Sequence, residues 1–257
     1  MSDTRLSFER PLRVRKVHSW RTLLWLARGW SDFMEAPLIG LLHGVAMGAF
    51  GGLLLYVAWD RFWVLAGALS GFLMVAPILS TGLYAVSRSL LRGESVGLHT
   101  VWAVWASLDR RLVKFGLLLT ALGTGWVITS AALITLGVKP AVTTPEDFLM
   151  RVVLADNPVF FELWLVMGGL MAAPVFASSV VAIPLLLDRK VSVRKAVLTS
   201  WRAVTVNPIC LSLWAAIVMS LCLLGLGTLM FGLILVMPVL GHATWHAYQD
   251  LVVRETV

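Results

Sequence analysis

Charged residues are scarce in this sequence. Only 14% of the 257 residues are Asp, Glu, Lys or Arg, whereas 59% are apolar. Because a water-soluble domain carries about 25% charged residues, the composition excludes a single soluble core and indicates that lipid surrounds most of the chain. The net charge of +7 is confined to a few short stretches, which membrane topology explains better than nucleic-acid binding. We therefore expect the lipid bilayer as a partner and no nucleic acid.

Cysteines are rare, and the common catalytic motifs are missing. Cys210 and Cys222 lie in one apolar stretch without CxxC spacing, and we interpret both as small buried apolar residues. The sequence contains no P-loop, HExxH, GxSxG or paired carboxylates. The apolar stretches also hold almost no ionisable side chain except histidine. These absences favour a protein that is not an enzyme.

Long apolar stretches dominate what is present, and a helix needs about 20 such residues to cross a bilayer. The stretches are Pro37–Trp59, Phe62–Val86, Phe115–Val138, Phe161–Leu187, and one run from Pro208 to Tyr248 that is long enough for two crossings. Within that run, Gly225-Leu226-Gly227 is the natural tight turn, as Asp60-Arg61 is between the first two stretches. The sequence therefore predicts six transmembrane helices.

The basic residues predict the orientation of these six spans. Of the 21 Lys and Arg residues, only Arg61, Lys139 and Arg151 fall on one side of the predicted membrane, and the other eighteen fall on the opposite side. Because basic residues accumulate in cytoplasmic loops, we predict a multi-pass protein of the bacterial inner membrane with both termini in the cytoplasm.

The sequence also predicts an internal repeat. An amphipathic stretch precedes each odd-numbered span, at residues 19–34, 97–112 and 192–206. The first of these places Trp20, Leu23, Leu24, Ala27 and Met34 at helical spacing, and tryptophan with basic residues suits the membrane interface. In the first and third stretches a tryptophan, Trp30 or Trp201, stands seven residues before a proline at the start of the span.

These patterns together predict an all-α membrane protein. Its six transmembrane helices form three hairpins, each preceded by a cytoplasmic interfacial amphipathic helix, in repeat units of about 19–95, 96–191 and 192–253. A basic arm (1–18) precedes this membrane domain (19–253), and a short tail (254–257) follows it.

Several residues are candidates for packing and anchoring. Glycines at every fourth position of the first span, where another helix can approach closely, are Gly40, Gly44, Gly48 and Gly52. Prolines within the even-numbered spans, which break a backbone hydrogen bond and kink a helix, are Pro77, Pro174 and Pro238. The predicted interfacial anchors are Trp30, Trp105, Trp201, Trp245 and Tyr248.

Histidines are the candidates for chemistry. His242 and His246 lie one helical turn apart, Asp250 continues the same face, and His43 lies in the first span. Such a set is a candidate metal or haem site. The alternative is that the polar stripe, with Trp245 and Tyr248, anchors the sixth helix at the cytoplasmic headgroups. We favour the anchor and expect no bound cofactor.

Two segments near the C-terminus carry a family resemblance. Residues 241–252 (GHATWHAYQDLV), with SWRAV and NP within 200–208 before them, resemble the bacterial membrane family DUF2189, some members of which are labelled putative cytochrome c oxidase subunit I. A catalytic subunit of that kind needs about twelve spans and six metal-binding histidines, which this sequence lacks. The resemblance implies an integral membrane protein and permits an accessory role near a respiratory oxidase.

Three functions follow from these features. We expect a non-enzymatic accessory subunit or assembly partner of a larger membrane complex, in contact with other membrane-protein subunits. The alternative is a transporter or lipid-handling protein for apolar or neutral solutes, with a path at the prolines. A haem- or metal-binding protein is the third reading.

Overall fold

The computed structural model describes residues 10–58, 62–63, 65–66, 78–107 and 109–253. The helices within these residues are α1 (Arg21–Glu35), α2 (Pro37–Ala58), α3 (Thr81–Leu90), α4 (Leu98–Ala106), α5 (Arg110–Gly137), α6 (Pro145–Phe148), α7 (Val159–Ser179), α8 (Ala182–Asp188), α9 (Val193–Val206), α10 (Pro208–Gly227) and α11 (Leu233–Leu251). A π-helical turn, Leu149–Val153, follows α6. The described part of the chain has no sheet, and Val14 and Val252 form an isolated antiparallel bridge.

Four helical segments of the described chain are long and apolar enough to cross a membrane. They are Pro37–Val57, Arg110–Gly137, Val159–Asp188 and Pro208–Gly227, which correspond to the predicted first, third, fourth and fifth spans. The predicted second span and the Asp60-Arg61 turn lie largely outside the described residues. The predicted sixth span coincides with α11, which is not among the four because polar side chains interrupt its apolar character.

Helix α11 lies at the centre of the fold, in contact with α1, α2, α3, α8 and α10. Small residues permit these close approaches. A Cβ atom on Gly29 of α1 would lie 2.6 Å from the backbone nitrogen of Ala243, and one on Gly241 would lie 2.7 Å from the side chain of Leu83 in α3. The backbones of α1 and α11 are therefore close together, the Leu83 side chain of α3 packs directly on the α11 backbone, and α11 is buried over most of its length.

Helix α1 faces its neighbours with a side that carries both polar and aromatic residues, and not with the apolar stripe predicted from the sequence. Its buried residues are Thr22, Trp25, Gly29, Asp32 and Phe33. The stripe predicted from the sequence faces outward: Trp20, Leu23 and Met34 are more than half exposed. This orientation places the apolar side where lipid can cover it, and it places polar groups where only other protein groups can satisfy them.

Helices also occupy the predicted amphipathic stretches that precede the other odd-numbered spans, as α4 and α9. The corners that follow α1 and α9 have the same shape. Ala36 has φ −130° and ψ 56°, and Asn207 has φ −128° and ψ 52°. A proline starts the next helix at both corners. The corner before α5 differs, because Asp109 has φ −54° and ψ 110° and caps the helix with its carboxylate.

The turn between α10 and α11 lies a few residues beyond the predicted Gly225–Gly227 position. Helix α10 continues to Gly227, and the chain reverses over residues 228–232. Leu229 and Met230 adopt positive φ angles of 51° and 72°. Thr228 stabilises the reversal, because its hydroxyl donates to the Gly225 carbonyl and accepts from the backbone N–H of Gly232. The Gly225-Leu226-Gly227 segment is thus the end of helix α10, and the turn follows it.

Candidate functional site

A buried polar cluster forms where α1, α2, α3 and α11 meet. His246 and Asp32 are joined by a hydrogen bond of 2.8 Å between Nε2 and the carboxylate. Both residues are buried, with 3% and 8% of their surfaces exposed. A polar group removed from water in this way needs a hydrogen-bond partner within the protein. The imidazole and the carboxylate are each other's partner.

The other two candidate histidines belong to the same region but make different contacts. His242 is fully buried, and its Nδ1 lies 2.7 Å from the hydroxyl of Ser87 on α3. His43 on α2 hydrogen-bonds through Nδ1 to the Ile39 carbonyl, over 2.9 Å. Among the described residues, the Nε2 atoms of His242 and His43 have no hydrogen-bond partner. Both histidines are buried within the protein.

Asp250 lies at the end of the same face of α11 and is held by α1. Its carboxylate accepts from the Arg21 guanidinium at 2.6 Å and from the Trp25 indole at 2.7 Å, and Arg28 lies 3.7 Å from its other oxygen. The described residues contain no group of three or more His, Cys, Asp and Glu side chains placed to hold a metal ion. Asp250 therefore ties α1 to α11 by charge-assisted hydrogen bonds.

Two of the predicted interfacial anchors lie elsewhere than predicted. Trp245 is 0% exposed and Tyr248 is 1% exposed, so neither side chain reaches the headgroups. Tyr248 instead donates to Asp188 at the end of α8, over 2.6 Å. The difference arises because helices surround α11, and its aromatic residues fill the space between them. The histidines of the proposed headgroup stripe are buried for the same reason.

The remaining anchor candidates are partly exposed. Trp30, Trp105 and Trp201 expose 49%, 41% and 41% of their surfaces. The indole of Trp201 donates to Ser178 over 2.9 Å, and the ring of Trp105 lies 5.3 Å from that of His43. Their contact with headgroups stays a prediction.

The glycines of the first span divide into two groups. A Cβ on Gly44 would collide with the backbone of Ile234 in α11, and Cβ atoms on Gly40 and Gly48 would also meet neighbouring side chains at 2.5 Å and 3.2 Å. A Cβ on Gly52 would meet no atom of the described residues within 4 Å. Among the described residues, Gly44 and Gly48 form the close contact between α2 and α11, Gly40 lies nearest to Phe33 of α1, and Gly52 has no close neighbour.

Two of the predicted proline positions are described, and both lie inside helices. Pro174 is within α7 and Pro238 is within α11, whereas Pro77 lies outside the described residues. The segments that follow the three prolines approach one another, since α3, α8 and α11 are in mutual contact. Residues from all three segments line one cavity.

This cavity, which we call the inter-hairpin pocket, has a volume of about 150 Å³. Its lining is apolar except for a few hydroxyl groups and contains no charged side chain. The residues are Ser80, Tyr84, Phe176, Ser179, Val180, Ile183, Trp214, Val218, Cys222, Met237, Leu240, Gly241 and Thr244. The pocket is partly open and lies beside the His242 turn of α11.

Sequence reasoning did not identify several residues of the site. Asp32 is one of two acids in α1, the other being Glu35, and nothing local shows that its partner is His246. Ser87, Tyr84 and Thr244 are small or aromatic polar residues of a kind that occurs throughout membrane helices. The available signal was Asp32 itself, because an acid on an amphipathic helix near a membrane needs a partner.

The comparisons with known proteins agree with the membrane assignment. No curated protein and no solved structure matches the chain. Residues 64–188 match the model of the family described as predicted integral membrane protein, DUF2189. This range covers the second to fourth predicted spans, whereas the segments that carried the resemblance in the sequence lie beyond it. The match confirms the resemblance of this chain to the DUF2189 family of predicted integral membrane proteins.

Proposed function

We propose that this protein is a non-enzymatic, six-span protein of the bacterial inner membrane, with both termini in the cytoplasm, that binds an uncharged and mainly apolar molecule in the inter-hairpin pocket. The observation that supports this function is the position of the pocket, where segments from all three predicted hairpins meet. The function is that of a lipid-handling or solute-binding protein, and a transport path would pass through the same place.

The lining of the pocket favours an uncharged ligand. None of its residues carries a charge, and an unpaired ion in an apolar membrane interior is strongly disfavoured. Apolar side chains from α10 and α11 cover most of the wall, among them Val218, Cys222 and Met237. Burial of hydrocarbon against these groups is the expected source of affinity.

The shape of the pocket favours an elongated ligand. On α10 the lining residues run from Trp214 to Cys222, and on α11 from Met237 to Thr244. At 1.5 Å of rise per residue, eight residues of α10 span about 12 Å along the helix axis. The pocket has a volume of about 150 Å³ and is partly open, so it accommodates a short segment of an aliphatic chain that lies parallel to these helices, with the rest of the chain outside the opening.

The hydroxyl groups of the pocket favour a ligand whose polar group, if it has one, donates a hydrogen bond. Thr244 already donates to the Leu240 carbonyl over 2.7 Å, and Ser179 donates to the Val175 carbonyl over 2.8 Å. Since the Thr244 and Ser179 protons are used within the protein, the lone pairs of these oxygens remain as acceptors. A fatty alcohol matches this chemistry.

Photo-crosslinking tests this function. A photoactivatable long-chain alcohol is incubated with the protein in detergent, and crosslinked peptides are mapped by mass spectrometry. We expect labelling of the α10 segment from Trp214 to Cys222, and loss of that labelling in Val218→Trp, which fills the slot. Met219→Trp is the matched control, because Met219 is 61% exposed on the outside of the same helix. Equal labelling of both variants, with unchanged unfolding temperatures, contradicts the proposal.

A second candidate function is that of an accessory subunit or assembly partner of a larger membrane complex, such as a respiratory oxidase. Only 22% of the apolar stretch is buried within the chain for Arg110–Gly137 and for Pro208–Gly227, against 44% for Val159–Asp188. Two candidate spans thus offer most of their apolar surface to lipid or to another subunit. Purification in a mild detergent tests this candidate: specific membrane-protein neighbours support it, and a monodisperse lone monomer counts against it.

A further inference from the structure

The N-terminal arm is held in a fixed extended path. The backbone N–H of Leu12 donates to Thr199 on α9 over 3.0 Å. Five residues further along, the N–H of Val17 donates to the side-chain oxygen of Asn207 over 2.7 Å, and the Asn207 amide donates to the Arg15 carbonyl over 2.9 Å. The arm therefore runs beside α9, in the same direction, from its middle to its end.

The other edge of the arm pairs with the C-terminal end of α11. The N–H of Arg15 donates to the Leu251 carbonyl over 2.8 Å, and the N–H of Val253 donates to the Arg13 carbonyl over 3.1 Å. These contacts use backbone atoms of the two arginines. Both arginines are exposed, and their guanidinium groups form no hydrogen bond or ion pair with the other described residues.

Exposed cations collect on this arm and on the neighbouring helix α9. They are Arg10, Arg13, Arg15, Lys16, Arg194 and Arg202, and we call this set the basic platform. The arm (10–18) and α9 contain no Asp or Glu. The ion pairs formed between described residues all use other cations. The platform thus carries only positive charges, and hydrogen bonds hold the backbone of its arm in place.

The platform lies at the level where a candidate span begins. Asn207, which binds the arm, is followed at once by Pro208, the first residue of α10. Beside the cations, Trp201 and Leu198 on α9 expose 41% and 37% of their surfaces, and Trp20 at the end of the arm exposes 57%. Tryptophan next to basic residues at the end of a membrane helix is typical of the headgroup layer.

We propose that the basic platform binds the phosphate groups of anionic phospholipids on the membrane face that holds both termini. Basic residues at a membrane surface attract anionic lipid within a Debye length. Guanidinium groups in particular donate paired hydrogen bonds to phosphate oxygens. Because the arm is held by its backbone, these groups are presented together and are not spread along a flexible tail. This site is separate from the inter-hairpin pocket and does not depend on its function.

Lipid retention measured by native mass spectrometry tests the platform. The full chain is reconstituted in phosphatidylcholine nanodiscs that contain a varied minor fraction of phosphatidylglycerol. The protein is then released into detergent, and the number of phosphatidylglycerol molecules that stay bound is measured at each fraction. We expect Arg15→Gln with Arg202→Gln to weaken binding at least about tenfold. The control is Arg110→Gln with Lys114→Gln, because both residues are exposed at the start of α5 and the net charge changes equally.

Each outcome decides the proposal. Loss in the platform variant alone supports it. Equal loss in both variants assigns lipid retention to net charge and overturns it, as does full retention in both. A short single-stranded oligonucleotide is added as a competitor, and displacement of the lipid at equimolar concentration would assign the surface to nucleic acid instead. Unfolding temperatures in detergent verify that both variants fold, as expected since Arg15 holds the arm through backbone atoms only.

Discussion

His246 on α11 and Asp32 on α1 form a buried hydrogen bond of 2.8 Å between positions 214 residues apart in the sequence. The bond lies one turn from the point where Gly29 of α1 approaches Ala243 of α11. It therefore joins the first and last predicted units beside a close approach of their backbones. Together with the Asp250 contacts to Arg21 and Trp25, it explains why the side of α1 that carries Asp32 faces the protein.

Removing one partner of this bond should destabilise the protein. In Asp32→Ala the imidazole of His246 stays buried without its acceptor, which typically costs about 1–3 kcal/mol. We expect a lower unfolding temperature in detergent. The double variant Asp32→Ala with His246→Ala should lose less than the sum of the single losses, because it leaves no orphaned group. Strictly additive losses would show that the two side chains do not interact.

The sequence was sufficient to predict the helical elements but not their mutual orientation. Hydrophobic length predicts four spans that the structure contains as candidate membrane helices, because crossing a bilayer imposes a local requirement on each segment. The amphipathic stripe of α1 also predicts a helix. It does not show which side meets protein, since Trp20 and Leu23 suit lipid as well as they suit a protein core.

The site was harder to predict because its partners are distant in sequence. His242 and His246 are visible as a helical pair, but their burial depends on α1 and α3, which cover α11 from other parts of the chain. Only that packing brings Ser87 and Asp32 within hydrogen-bond distance of the two histidines. The internal repeat stays a prediction. Similar backbone angles at Ala36 and Asn207 are expected if the first and third units match.

Glycine replacement in α2 should depend on position. Gly44→Leu places a large side chain against the Ile234 backbone, and Gly48→Leu places one against the Ile234 side chain. Overpacking of this kind costs about 1–3 kcal/mol. We expect lower unfolding temperatures for both, with the larger change at Gly44, where backbone cannot move aside. Gly52→Leu is the control in the same helix. An equal decrease in its unfolding temperature would show that α2 and α11 do not make their close contact at Gly44 and Gly48.

The two ends of the chain should report the same side of the membrane. Arg13 and Val253 are hydrogen-bonded through their backbones, and the eighteen basic residues predict that this side is the cytoplasm. A reporter fused after Val257 should therefore show a cytoplasmic location, and one inserted within Lys139–Pro158 should show an external location. The same location for both reporters would overturn the six-span topology.

The candidate metal site should be empty in purified protein. His246 is engaged by Asp32, and Asp250 by Arg21 and Trp25, so a metal could reach only the Nε2 atoms of His43 and His242 without breaking these contacts. Two nitrogen ligands fall short of the four that zinc usually takes. We expect no stoichiometric haem, copper, iron or zinc by absorbance and elemental analysis. One equivalent of metal that disappears in His43→Ala with His242→Ala, but persists in His99→Ala, would establish the ligand role instead.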